Sequence, residues 1–137
     1  MERVVEATEL RERLAPLIEQ GTIHLIVLFG STVHGLTHHE SDLDLAMQGS
    51  SPLDVVAVTT EAIRLLHANR VDVVDLRRAS PLLMMEVVRG GRLVYEQRPG
   101  LYAEFCSLAH RRYVDTAKLR QAQQDAIRQF LDARGVA

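Results

Sequence analysis

Four residues at fixed spacing carry the chemical signal in this chain: Gly30 and Ser31, then, after ten intervening positions, Asp42 and Asp44 in the run Ser41-Asp42-Leu43-Asp44-Leu45. In an extended strand alternate side chains share a face, so the two carboxylates stand side by side while Leu43 and Leu45 turn to the other side. Adjacent carboxylates repel each other and call for a cation between them. A hard divalent ion with oxygen ligands fits, and Mg²⁺ held by carboxylates together with substrate phosphates is the common arrangement. Gly30 lets the backbone turn sharply and approach a ligand closely. Ser31 offers a hydroxyl and an N–H at a helix start, where phosphate oxygens bind well. The four residues therefore read as a nucleotide site.

Two strands must position them. The segment Ile23-His24-Leu25-Ile26-Val27-Leu28-Phe29 is almost wholly apolar, as expected of a strand covered on both faces, and a second strand carries the Asp pair. A third β-branched run, Val71-Asp72-Val73-Val74-Asp75-Leu76, supplies two more carboxylates. They are three apart, so a regular strand sends them to opposite faces and only one can join Asp42 and Asp44. Asp75 reads as a strand-end carboxylate paired with Arg77 or Arg78. Upstream, Leu10, Leu14, Leu17 and Ile18 predict an amphipathic helix over residues 8–20, closed by Gly21 and kinked or restarted at Pro16. Ser51-Pro52-Leu53-Asp54 predicts another helix start with Ser51 as cap, after which Val55, Val56, Ala62, Ile63 and Leu66 face the sheet. Ser80-Pro81 repeats the signal, Gly90-Gly91 stops that helix, and residues 92–96 form a last strand.

At 137 residues and 47% hydrophobic content the chain can bury one core. A net charge of −2 gives no extended basic face of the kind nucleic-acid binding needs, so no direct nucleic-acid partner is expected. One cysteine forms no internal disulfide, and no apolar run approaches a membrane span or signal segment. A cytoplasmic protein is the resulting expectation. His34, His38 and His39 lie between Ser31 and Asp42, but no Cys or distant His completes a tetrahedral zinc set. Beyond Pro99-Gly100 the chain reads as one or two helices. Tyr102, Phe105, Ala109 and Tyr113 form one stripe, and Ile127, Phe130 and Leu131 another. Unbroken, about 35 residues of helix would reach roughly 50 Å, more than a small core covers, so the distal stripe either packs back on the domain through a bend or, the favoured expectation, meets a partner protein or a second copy.

Phe29-Gly30-Ser31, Gly35 and Ser41-Asp42-Leu43-Asp44-Leu45 resemble the signature of the minimal nucleotidyltransferases of the DNA polymerase beta-like superfamily. The resemblance covers residues 1–97 and leaves 98–137 as a C-terminal helical extension. It implies an α/β nucleotidyltransferase fold, a small mixed β-sheet flanked by helices. It also implies a catalytic and metal-binding triad of Asp42, Asp44 and Asp72, two Mg²⁺ ions, and ATP held by Gly30, Ser31, Asp42 and Asp44. Relatives often carry an Arg after Gly-Ser, where this chain has Thr32, Val33 and His34. With Pro81-Leu82-Leu83 and Gly91-Arg92-Leu93-Val94-Tyr95 after the third Asp, the chain most resembles the antitoxin half of HEPN/MNT toxin–antitoxin pairs. The implied activity is AMP transfer from ATP to a tyrosine of a partner HEPN ribonuclease toxin. Alternatives are adenylylation of a small hydroxylated molecule such as an aminoglycoside, or a purely binding antitoxin.

Overall fold

The computed structural model describes residues 6–30 and 42–135. Pro16 acts as expected. The first helix, α1 (Ala7–Arg13), ends at Leu14, and a short α2 (Ala15–Ile18) restarts with Pro16 in its first turn, where its missing N–H costs nothing. The apolar run is strand β1 (Ile23–Phe29), buried on both faces, and the Asp pair lies on β2 (Asp42–Gly49). Helix α3 (Val55–Leu66) leads to β3 (Arg70–Asp75). Helix α4 (Pro81–Gly90), capped by the Ser80 hydroxyl, leads to β4 (Arg92–Glu96). Helices α5 (Leu101–Asp115) and α6 (Ala117–Ala133) complete the chain.

The four strands form one mixed sheet in the order β3-β2-β1-β4, with β2 and β3 parallel and the other pairs antiparallel. Strand parity divides the core in two. Leu25 and Val27 join Ala46 under α4 and α5, packed with Met84, Met85, Val87, Phe105 and Ala109. Ile26 and Leu28 face the other way, with Leu43, Leu45 and Met47, onto Leu10, Leu14 and Leu17 of the N-terminal helices and Ala62 and Leu66 of α3. A register shift between Ile23 and Leu25 lets Ile23 join this second face despite its odd position.

One expected helix start is corrected. Helix α3 begins at Val55 under an Asp54 cap that accepts from the Ala57 N–H, rather than at Ser51. The Arg77 guanidinium donates to the carbonyls of Gly49 and Ser50, and the Leu53 N–H donates to Asp75, so these distant contacts hold residues 49–53 out of the helix. Val56, expected against the sheet, is exposed, because the face carrying Ala62 and Leu66 does not pass through it. The break in the C-terminal helix falls at Thr116, whose hydroxyl donates back to the carbonyls of Arg112 and Tyr113. Among the described residues, no helix is long and apolar enough to cross a membrane.

Candidate active site

The site forms on the α4 face where β1 ends and β2 and β3 begin. Asp44 is the register partner of Phe29 on β1 and of Asp72 on β3, while Asp42 pairs with Arg70. Parallel pairing thus brings a carboxylate from 28 residues downstream next to the Asp-Leu-Asp run, as strand parity requires. Gly30 follows β1 with φ of +86°, a left-handed conformation suited to glycine, and a Cβ there would collide with Asp44 Oδ2. The glycine therefore clears space for the carboxylate as well as turning the chain.

The electrostatics are those of clustered negative charge that Arg70 answers in part. Burial pushes the Asp44 carboxyl above its ordinary range, and the neighbouring Asp72 charge raises it further. Arg70 opposes the shift, while a hydrogen-bond contact with Asp72 and the charge of Asp42 add to it. Arg70 Nη2 lies 3.2 Å from Asp72 Oδ2, in a pair exposed to solvent. Two carboxylates that face each other as register partners on adjacent strands call for a shared proton or a cation between them. Their oxygen-only chemistry fits a hard divalent ion. Mg²⁺ commonly takes one or two carboxylates and completes its shell from water and phosphate.

Two clefts share Asp44 as a wall. One, of about 260 Å³, is lined by Asp42, Leu43, Asp44, Arg70 and Asp72. The other, of about 450 Å³, is lined by Phe29, Gly30, Asp44, Glu86, Arg89 and Gly90 and is of a size that takes a small-molecule ligand. Glu86 and Arg89 were not marked by the sequence. Helical spacing places them one turn apart on α4, but only the packing of α4 on the sheet brings that turn beside Gly30.

Asp75 does not join the cluster. It is buried on the opposite face, where its oxygens accept from the N–H groups of Leu53 and Arg77, each at 3.0 Å, and Arg78 Nε lies 3.8 Å away. This is the structural role its parity predicts. Ser31, His34, Gly35, His38 and His39 lie outside the described residues.

Residues 12–100 match the family model described as polymerase beta, nucleotidyltransferase. A protein adenylyltransferase MntA of Shewanella oneidensis is 40% identical over 75 residues, which span 53% of this chain and 54% of that relative, or about half its length. A second protein adenylyltransferase MntA, from Aphanizomenon flos-aquae, is 26% identical over 97% of this chain and 95% of its own. Among solved structures, a toxin–antitoxin complex with AMP-PNP superposes with a TM-score of 0.74 at 28% identity, covering 85% of this chain and 97% of the matched one. A tri-AMPylated Shewanella oneidensis HEPN toxin in complex with MNT antitoxin gives 0.71 at 25% identity, over 89% and 98%. With this fold, this strand-borne aspartate cluster and a family match across most of its length, the chain belongs to the polymerase beta nucleotidyltransferase family.

Proposed function

We propose that this protein is an antitoxin that transfers AMP from ATP to a tyrosine hydroxyl of a HEPN-type toxin. The observation that carries the reading is the meeting of Asp42, Asp44 and Asp72 at adjacent strand ends beside the Gly30 cleft, in a chain whose full-length relatives are named protein adenylyltransferases. In this reading Asp42, Asp44 and Asp72 would hold the Mg²⁺ that accompanies the triphosphate. The metal supplies charge neutralisation at the phosphates. Gly30 and Ser31 give the outgoing phosphates room and N–H donors. The tyrosine oxygen attacks the α-phosphorus, the bond from that phosphorus to the bridging oxygen breaks, pyrophosphate leaves, and Asp72 takes the tyrosine proton.

The C-terminal extension supports the partner half of this reading. Its described residues form α5, which buries Phe105 and Ala109 against α4 and the sheet, and α6, none of whose residues is buried. Ile127, Phe130 and Leu131 on α6 are 60%, 53% and 37% exposed. An enzyme acting on a small molecule has no use for this edge, whereas an antitoxin must hold its toxin while a tyrosine reaches the nucleotide.

Incubation of the protein with ATP, Mg²⁺ and a HEPN-type toxin, followed by intact mass measurement, tests the proposal. The expected result is a toxin heavier by whole adenylyl groups, and no change when Mg²⁺ is chelated. A stable complex with an unmodified toxin would leave a binding antitoxin and overturn the catalytic reading.

A further inference from the structure

A nucleoside triphosphate brings several negative charges to a site whose own residues, Asp42, Asp44 and Asp72, are anionic. Residues 31–41, between β1 and β2, contain no Lys or Arg. The cation in the larger cleft comes from elsewhere: Arg89, in the last turn of α4, lines it with Phe29, Gly30 and Asp44. Arg89 is exposed, and among the described residues no carboxylate pairs with it, including Glu86 in the same cleft.

What holds Arg89 is an aromatic ring from the C-terminal extension. Its guanidinium carbon lies 5.3 Å from the centroid of Tyr113 on α5, and Arg120 from α6 stacks on that ring at 3.8 Å. The guanidinium groups of Arg89 and Arg120 together lower the Tyr113 phenol below its ordinary range. Two guanidinium groups on one ring repel each other. Among the described residues no carboxylate pairs with either, and the cleft beside Arg89 is where an anion would relieve that repulsion. An arginine fork is also the side chain best matched to phosphate oxygens.

We propose that Arg89 contacts the phosphates of the bound nucleotide from the α4 side of the cleft, and that Tyr113 is the positioning residue that holds its guanidinium there. The inference rests on the nucleotide reading above and makes the first helix of the extension part of the nucleotide site. Tyr113 never touches substrate; it acts through Arg89.

Calorimetry on the full chain with Mg²⁺ and a non-hydrolysable ATP analogue, with adenosine as a phosphate-free probe followed by ligand-detected NMR, tests both halves. R89Q should weaken analogue binding by about ten- to a hundredfold, the range for a hydrogen bond to a charged group, and leave adenosine binding unchanged. R89K should recover part of the loss. Y113L, which removes the ring, should weaken the analogue severalfold in the wild-type background and add nothing to R89Q, because a positioning residue has no effect once the residue it positions is gone. Analogue affinity within twofold of wild type for R89Q, or equal loss of analogue and adenosine, would overturn the Arg89 assignment. Additive effects of Y113L and R89Q would overturn the role of Tyr113. Wild-type protein that binds no analogue would instead bring down the nucleotide reading, and this inference with it.

Discussion

The two ends of β3 treat the same residue type in opposite ways. Asp75 at one end is buried, and its charge is answered by two backbone N–H groups and an arginine. Asp72 towards the other end is exposed, and its charge works against ionisation of Asp44 while it pairs with Arg70. Where the protein satisfies a carboxylate from its own donors, the residue stabilises the fold. Where it collects carboxylates and leaves them repelling, stability is given up for a site that an ion and phosphates can complete.

Neutralising the repelling end has the largest expected effect. Asp44→Asn or Asp72→Asn should lower the rate of AMP transfer by at least about a hundredfold, the usual scale for removing a general base or a charge-stabilising group, while circular dichroism and melting remain those of a folded protein. A variant that loses fold and activity together would make this end structural as well. The other end should respond in the opposite sense. Asp75→Ala strands the Leu53 and Arg77 N–H groups and should cost about 2 kcal/mol in urea unfolding, with transfer per folded molecule retained. If Asp75→Ala abolished transfer in a protein of unchanged stability, the division of roles along β3 would be wrong.

How much of this division was legible in the sequence follows from the range of the forces involved. The opposite facing of Asp72 and Asp75 is a local consequence of strand period, and it could be read from three residues of spacing. So could β1, the Ser80 cap and the stop at Gly90-Gly91. The start of α3 could not, because Ser51-Pro52 is a sound local signal that Arg77 and Asp75 override from more than twenty residues away. Arg89 and Tyr113 escaped for the same reason. Each reads as an ordinary helix residue, and only the packing of α4 on the sheet and on α5 sets them beside the cleft. The break at Thr116 turns on a hydroxyl that can bond back to the helix or not, a choice close in energy that spacing does not settle.

A comparison of the same kind, with apolar surface in place of charge, separates α5 from α6. Phe105 on α5 is buried, while Phe130 on α6 is exposed. Replacing Phe130 and Leu131 with Ser should weaken toxin binding by about 2 kcal/mol if they lie at the centre of the interface, and should leave both ATP binding and the melting temperature unchanged. Calorimetry with the toxin and with ATP distinguishes the outcomes. Unchanged toxin affinity, or a variant that unfolds, would remove α6 from the interface.

The smallest effect concerns stability against pH and returns to the repelling end of β3. The raised pKa of Asp44 means that the native chain holds this proton more tightly than the unfolded chain does. Its contribution to stability therefore falls as pH rises from the ordinary value of 3.8 through the raised native value, and the full penalty remains at every higher pH. Asp44→Asn has no proton to lose. The stability difference between the variant and wild type should thus grow in the variant's favour across that window and then stay level, by no more than about 0.5 kcal/mol because the site is open to solvent. Other carboxylates titrate in both proteins and largely cancel in the difference. Urea unfolding of the pair at a series of pH values, without metal or nucleotide, measures it. A difference that grew instead as pH fell would mean that Asp44 is held as a satisfied carboxylate, in the manner of Asp75, and the two ends of β3 would no longer differ in kind.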